Sequence, residues 1–229
     1  MPTFNYQVSA SLDDGHAGSV NNDSGRTVTS GATFLVGNSD LTSSIVSPGS
    51  HNSNDEYPAI FRFLNIGINP GATIVSANFT ITAQATYNAG ANVIKYFVSA
   101  ELAASGLALS YTNPGRTLRS ASPPVGATAR PRTTAYAGPW DLTSVTVDTE
   151  YSISVTSVIQ EIVNQGGWAY NNAINMIMDT HPDCTQGEWQ DFWAYDGSTS
   201  KAAKLSIVTA GGGLAPRRMM DIYIPLLGR

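Results

Sequence analysis

The sequence predicts an all-β fold: an antiparallel jelly-roll β-sandwich with one short helix at about residues 155–164 and extended terminal arms. Three observations carry this. The stretch from Tyr57 to Thr86 holds two strand patterns joined by one compact turn; eight or more such patterns recur along the chain, separated by Gly, Pro, Asn and Ser; and only 13% of the residues are charged. At 229 residues the chain suits a single β domain over 1–209, followed by a glycine-hinged arm at 210–229.

The elements follow in order. Phe4, Tyr6, Val8 and Ala10 alternate with polar neighbours from Thr3 to Leu12, the pattern of a half-buried strand, and Asp13-Asp14-Gly15 reads as a turn. Val28 to Val36 is the next strand. In the central pair, Ala59, Phe61 and Phe63 occupy one face and Ile60, Arg62 and Leu64 the other; Ile74, Ser76 and Asn78 then oppose Val75, Ala77, Phe79 and Ile81. Asn69-Pro70-Gly71 supplies a fixed φ and then a residue tolerant of positive φ, as a tight turn requires. Further strands read at Ala91–Leu102, Val145–Val155, Ala173–Asp179, Glu188–Asp196 and Ala203–Thr209.

One segment departs from period two. Val155, Val158, Ile159, Ile162 and Val163 fall at helical spacing, so a short amphipathic helix is expected, capped by Ser154, Thr156 or Ser157 and ended by Gly166-Gly167. Too short to be stable alone, it is expected to close one end of the sandwich. Residues 104–141, with five prolines, read as a long connection.

Composition limits the function classes. The net charge of −5 argues against nucleic acid and against an anionic membrane surface as partners, because both are bound through Lys and Arg. No apolar run approaches the length of a membrane span. The N-terminus lacks a basic and apolar leader pattern, and Cys184, the only cysteine, permits no intrachain disulfide. Cations are unevenly placed: Arg116, Arg119, Arg130 and Arg132 lie in the proline-rich connection, and Lys201, Lys204, Arg217, Arg218 and Arg229 crowd the C-terminus. They read either as solvated charge or as basic patches that set register against an acidic partner.

Chemistry has few candidates. His16, His51 and His181 fall in polar, turn-like stretches; His181-Pro182-Asp183-Cys184 mixes ligand types but lacks the further ligands a zinc site needs; and neither Asp13-Asp14 nor Asn54-Asp55-Glu56 has calcium-loop spacing. No catalytic residue, cofactor or metal is therefore expected. Trp189, Trp193 and Tyr195 would share one strand face, either as a platform that stacks sugar rings or as buried or intersubunit surface. After Gly211-Gly212-Gly213, the segment Arg217, Arg218, Met219, Met220, Ile222, Tyr223, Ile224 reads either as a last strand or as an arm that adds a strand to a neighbouring subunit.

Residues 61–83 (FRFLNIGINPGATIVSANFTITA), the helix SVIQEIVNQGGW followed by AINMIM, and the closing AYDGSTSKAAKLSIV together resemble the DNRLRE-type jelly-roll domain, across about Ser30 to Thr209. That domain is similar to carbohydrate-binding modules and occurs in bacterial surface proteins; similar domains are used in tailed-bacteriophage structural proteins. With no leader pattern and with extended termini, the chain looks more like a virion component. The resemblance thus implies a bacteriophage capsid decoration or cement protein made in the host cytoplasm, partnered by the major capsid protein and by copies of itself, with a trimer matching the three-fold sites of a shell. The alternative it implies is a carbohydrate-binding module, or a tail or baseplate component, for attachment to a host glycan.

Overall fold

The computed structural model describes residues 1–17, 34–36, 44–50, 56–109 and 131–211. Among them, ten strands form two main sheets: β1 (Thr3–Gln7), β2 (Asp14–Ala17), β3 (Phe34–Val36), β4 (Ala59–Ile66), β5 (Ile74–Thr82), β6 (Lys95–Ala100), β7 (Ala137–Asp141), β8 (Glu150–Ser154), β9 (Asn172–Thr180) and β10 (Lys204–Thr209). One helix, α1 (Thr156–Asn164), lies between β8 and β9. The smaller sheet runs β1-β10-β5-β8 and the larger β7-β6-β9-β4-β2-β3, with every pairing antiparallel.

Without the added pair β2 and β3, the order is that of a ribbon folded once and then rolled. β6 pairs with β7 at its tip, then β5 with β8, β4 with β9, and β1 with β10 at its open end. This nested pairing, distributed over two facing sheets, is the jelly roll.

The expected alternation holds where it was clearest. Phe61 and Phe63 of β4 and Phe79 of β5 are fully buried between the sheets, with Phe79 at 5.2 Å from Phe61, 6.4 Å from Phe63 and 6.2 Å from Trp140 of β7 (ring centroids). Gly71 takes φ +68 and Ala72 N–H donates to Asn69 C=O at 3.2 Å, closing the turn that Asn69-Pro70-Gly71 announces. On the solvent face of the smaller sheet the residues are polar in register: Gln7, Lys204, Thr80 and Ser152 form one row across four strands, and Asn5, Ser206, Asn78 and Ser154 the next.

β9 does not alternate, because the larger sheet is covered on both faces. Ile174, Met176 and Met178 join the main core, while Ile177 joins Ile60 and Leu109 in a second cluster on the outer side. Residues 101–109 run across that outer face: Gly106 N–H donates to Ala173 C=O at 2.7 Å, and Asn175 Nδ2 donates to Glu101 Oε2 at 2.6 Å and to Leu107 C=O at 2.8 Å. The first part of the proline-rich connection is thus a layer of this domain, and its last five residues, read as connection from the sequence, are strand β7.

The helix forms where its period places it, burying Val158, Ile159, Ile162 and Val163. It packs on β5 of one sheet and β6 of the other, so it closes that end of the sandwich. The expected side-chain cap is absent. Val155 occupies the N-cap, and the Thr156 hydroxyl instead accepts the Ala77 N–H at 3.0 Å, tying the helix to β5. Gln160 completes the attachment: its Oε1 accepts the Ile74 N–H at 2.8 Å and its Nε2 donates to Ala72 C=O at 3.0 Å. Gln160→Ala strands both backbone groups and is expected to lower the unfolding free energy by about 1–3 kcal/mol in urea titrations, with the fold retained.

Three further expectations are corrected. Asp13-Asp14-Gly15 is not a turn: Ser11–Asp13 is one 3-10 turn, and Asp14 begins β2, whose Gly15 pairs with Ile60. The buried carboxyl of Asp13 is tolerated there because Arg62 Nη1 lies 3.1 Å from its Oδ1. His16, expected in a turn, is buried in β2. Finally, the strand expected over Glu188–Asp196 shrinks to Phe192–Trp193, which pairs with Ile45–Val46. Turns on either side consume the rest: Glu188 N–H bonds to Thr185 C=O, and Gly197 N–H to Ala194 C=O. Of the strand read over Val28–Val36, the described part is β3; residues 28–33 lie outside the described residues.

Candidate functional site

Two ends of the sandwich differ in what they expose. At the helix end, β10 finishes beside the start of the chain: Thr209 N–H donates to Pro2 C=O at 3.1 Å, and Ala210 N–H to Thr73 C=O at 2.9 Å. β1 is an outer strand of its sheet, so one side of its backbone has no strand partner among the described residues. β10 therefore ends one strand in from an open strand edge. Arg217, Arg218, Met219, Met220, Ile222, Tyr223 and Ile224 themselves lie outside the described residues, as do Arg116, Arg119, Arg130, His51, Asn54 and Asp55.

The opposite end holds a cleft of about 240 Å³ lined by Ala85, Tyr87, Gly187, Trp189, Gln190 and Asp191. Its floor is rigid. Gln190 is buried, its backbone N–H bonded to Pro48 C=O at 3.3 Å and its Nε2 to Leu142 C=O at 3.2 Å. Gly49 bridges to Trp189 at φ +148; a Cβ at that glycine would stand 2.5 Å from the Trp189 Cβ, so only glycine permits this approach. The Trp189 backbone is fixed while its side chain stays 40% exposed, and Tyr87, in a two-residue strand pairing with Val145, is 36% exposed.

Two carboxylates border the cleft. The Tyr87 hydroxyl makes a short hydrogen bond to Glu188 Oε2, and Asn92 Nδ2 donates to Oε1 at 2.6 Å. The hydrogen bond to Glu188 pushes the Tyr87 hydroxyl up to about 12, so it remains a donor throughout the physiological range. Asp191 accepts from the Ser47 hydroxyl at 2.6 Å.

The three aromatic residues read together from the sequence occupy three different surroundings. Trp189 lines the cleft. Trp193 donates from Nε1 to Asp148 Oδ1 at 2.9 Å and carries the Lys201 ammonium 4.9 Å from its ring centroid. Tyr195 packs partly against the core, and its N–H donates to Asp14 Oδ2 at 2.8 Å. Sequence reasoning missed Tyr87, Asn92 and Glu188, which come together only through long-range pairing.

The basic residues are less free than their spacing implied. Arg132 is buried in a bidentate pair with Asp179, at 2.5 and 3.1 Å, and also reaches the Ser99 hydroxyl at 3.0 Å. Lys201 pairs with Asp148 at 2.7 Å and Lys204 with Glu150 at 2.5 Å. His181 lies tilted against Phe97, ring centroids 4.4 Å apart, and accepts the Asp183 N–H on Nδ1; Cys184 beside it is buried. Among the described residues, no group of three or more His, Cys, Asp or Glu is arranged to hold a metal ion.

No protein-family model matches the sequence, and comparison with characterised proteins gives no match.

Proposed function

We propose that the chain is a structural protein of a bacteriophage virion, a capsid decoration or cement protein that binds the outer shell and stabilises it through contacts with the major capsid protein and with its own copies. The observation that supports this reading best is where β10 ends. It finishes at the helix end, between β5 and the edge strand β1, with β5 running from there for nine residues to the cleft-bearing end. At about 3.3 Å per residue the two ends stand roughly 26 Å apart. A molecule so organised has one end for attachment and one for display.

In this reading the mechanism is adhesion. The alternating Met220, Ile222 and Ile224 add a strand to a neighbour, Arg217 and Arg218 match acidic shell surface, and Tyr223 anchors. The role needs no cofactor and no catalytic group. A trimer would suit three-fold positions on a shell.

Removal of Ala215–Arg229 tests it. The truncated protein is expected to keep its circular dichroism spectrum and a melting temperature within a few degrees of the full chain, because β10 ends before the deletion. Co-sedimentation with purified phage shells is expected to be lost. Normal incorporation of the truncated protein would end the arm-anchored reading.

A further inference from the structure

We propose that the outer edge of β1 is an interface with a second copy of this chain: two β1 strands pair antiparallel about a two-fold axis at Asn5 and join two four-stranded sheets into one. Nothing in this inference depends on the virion reading. The contact is two-fold, so it is distinct from a three-fold association and would link such trimers pairwise.

The argument begins with the direction of the backbone groups. Val8 N–H donates to Ala203 C=O at 3.0 Å and Thr209 N–H to Pro2 C=O at 3.1 Å, with an unbroken register between them. Backbone groups point alternately to the two sides of an antiparallel strand, so Phe4 and Tyr6 also turn theirs to β10. Those of Thr3, Asn5 and Gln7 point outward, where no strand pairs with them among the described residues. A row of such groups is a template for another strand.

Proteins guard edges of this kind with charge, proline or a bulge. The edge strand β7 of the larger sheet carries Pro139 and Asp141, and β8, at the other edge of the smaller sheet, begins with the exposed Glu150. From Thr3 to Gln7, β1 has no charge, no proline and no bulge. Across a two-fold axis each residue faces a fixed residue of an identical chain, so a strand that pairs with itself must be free of self-repulsion. β1 meets that condition.

The register that pairs all three outward-facing residues sets Asn5 against Asn5 of the second copy, Thr3 against its Gln7 and Phe4 against its Tyr6. It makes about six backbone hydrogen bonds. The side chains agree with it on both faces. On the solvent side the exposed Asn5 amides meet one another, and Thr3 meets Gln7, polar against polar. On the inner side Phe4 and Tyr6 are each half-buried against their own core. They fall at non-hydrogen-bonded pairs, where the strands approach to about 4.5 Å between Cα atoms, so the uncovered part of each ring lies against the other.

Sedimentation-velocity ultracentrifugation of the full chain from about 1 to 200 µM tests the contact, and a reversible doubling of the sedimenting mass in the micromolar range is expected. Asn5→Lys and Asn5→Asp each set like charges opposite one another at the axis and should each weaken dimerisation by about tenfold or more, while an equimolar mixture of the two dimerises again. Asn5→Pro removes the central outward N–H from both copies and should abolish the dimer. That N–H faces away from β10, so the circular dichroism spectrum and melting temperature of this variant stay close to those of the unsubstituted chain. Deletion of Ala215–Arg229 should leave the dimer intact. A monomer at every concentration, a dimer that persists in folded Asn5→Lys or Asn5→Pro, or a mixture that stays monomeric would each overturn the proposal. So would loss of the dimer on deletion of Ala215–Arg229, which would make the C-terminal segment the occupant of the edge. Because that deletion is expected to abolish shell binding and to keep the dimer, failure of one reading is separable from failure of the other.

Discussion

Arg132→Ala is expected to lower the unfolding free energy by about 3–5 kcal/mol, the range for removing one partner of a buried ion pair. Both side chains are only 4% exposed, and the guanidinium meets the Asp179 carboxylate through two hydrogen bonds. The loss arises from the buried Asp179 carboxylate, which loses both guanidinium hydrogen bonds. Urea titration at pH 7 measures the effect. The discriminating companion is Arg132→Met with Asp179→Leu, which removes both charges and is expected to recover most of the loss. If the double variant is as unstable as Arg132→Ala, the stranded charge is not the cause.

The second large effect depends on pH. Asp14 is fully buried; Tyr195 N–H donates to its Oδ2, and its Oδ1 has no hydrogen-bond partner among the described residues. Burial, reinforced by the charges of Asp196 and Asp13 against one opposing hydrogen bond from Tyr195, pushes its carboxyl up to about 7. A carboxyl raised in the folded state binds its proton more tightly there than in the unfolded chain. Its contribution is therefore complete below about pH 4 and is lost as pH rises to about 7. Three pH units correspond to about 4 kcal/mol. Asp14→Asn keeps the acceptor for Tyr195 and cannot ionise, so its stability is expected to vary less between pH 4 and 7.5, and to exceed that of the unsubstituted chain at the upper end. Parallel pH slopes for the two proteins would rule out Asp14 as the titrating group.

These two sites also show what could be read from the sequence. The central hairpin and the helix were legible because each shows its own period in consecutive residues: Phe61, Phe63 and Phe79 point inward at spacing two, Val158, Ile159, Ile162 and Val163 at spacing three and four. Asp13-Asp14 misled because adjacent carboxylates favour solvent. Here one is paired with Arg62 of a distant strand, and burial pushes the carboxyl of the other up to about 7. Arg132 misled in the same way, since nothing near it in the chain announces Asp179. The aromatic spacing of Trp189, Trp193 and Tyr195 imitated a strand face, although Trp193 lies in a short strand, Trp189 in a single bridge to Gly49 and Tyr195 in a turn. Tyr87 and Glu188 meet across about a hundred residues, and no local pattern can encode such a meeting. Local periods thus reveal elements, while pairs of charged or aromatic groups depend on how the ribbon rolls.

The rolled ribbon has a consequence for how the protein is made. Its outermost pair joins Thr3 to Val208, so among the described strands the earliest in the chain is bonded by the latest. At about 5–20 residues per second, β1 waits on the order of 10–40 s for β10, its ladder partner among the described residues. The inner pairs, β6 with β7 and β5 with β8, can form in the meantime, and the sheet closes from the inside outward. Until β10 arrives, β5 also lacks its neighbour, and the facing edges of β1 and β5 both stand open. Folding of this chain is therefore expected to be slow and sensitive to concentration, and most exposed to wrong partners just before β10 is made.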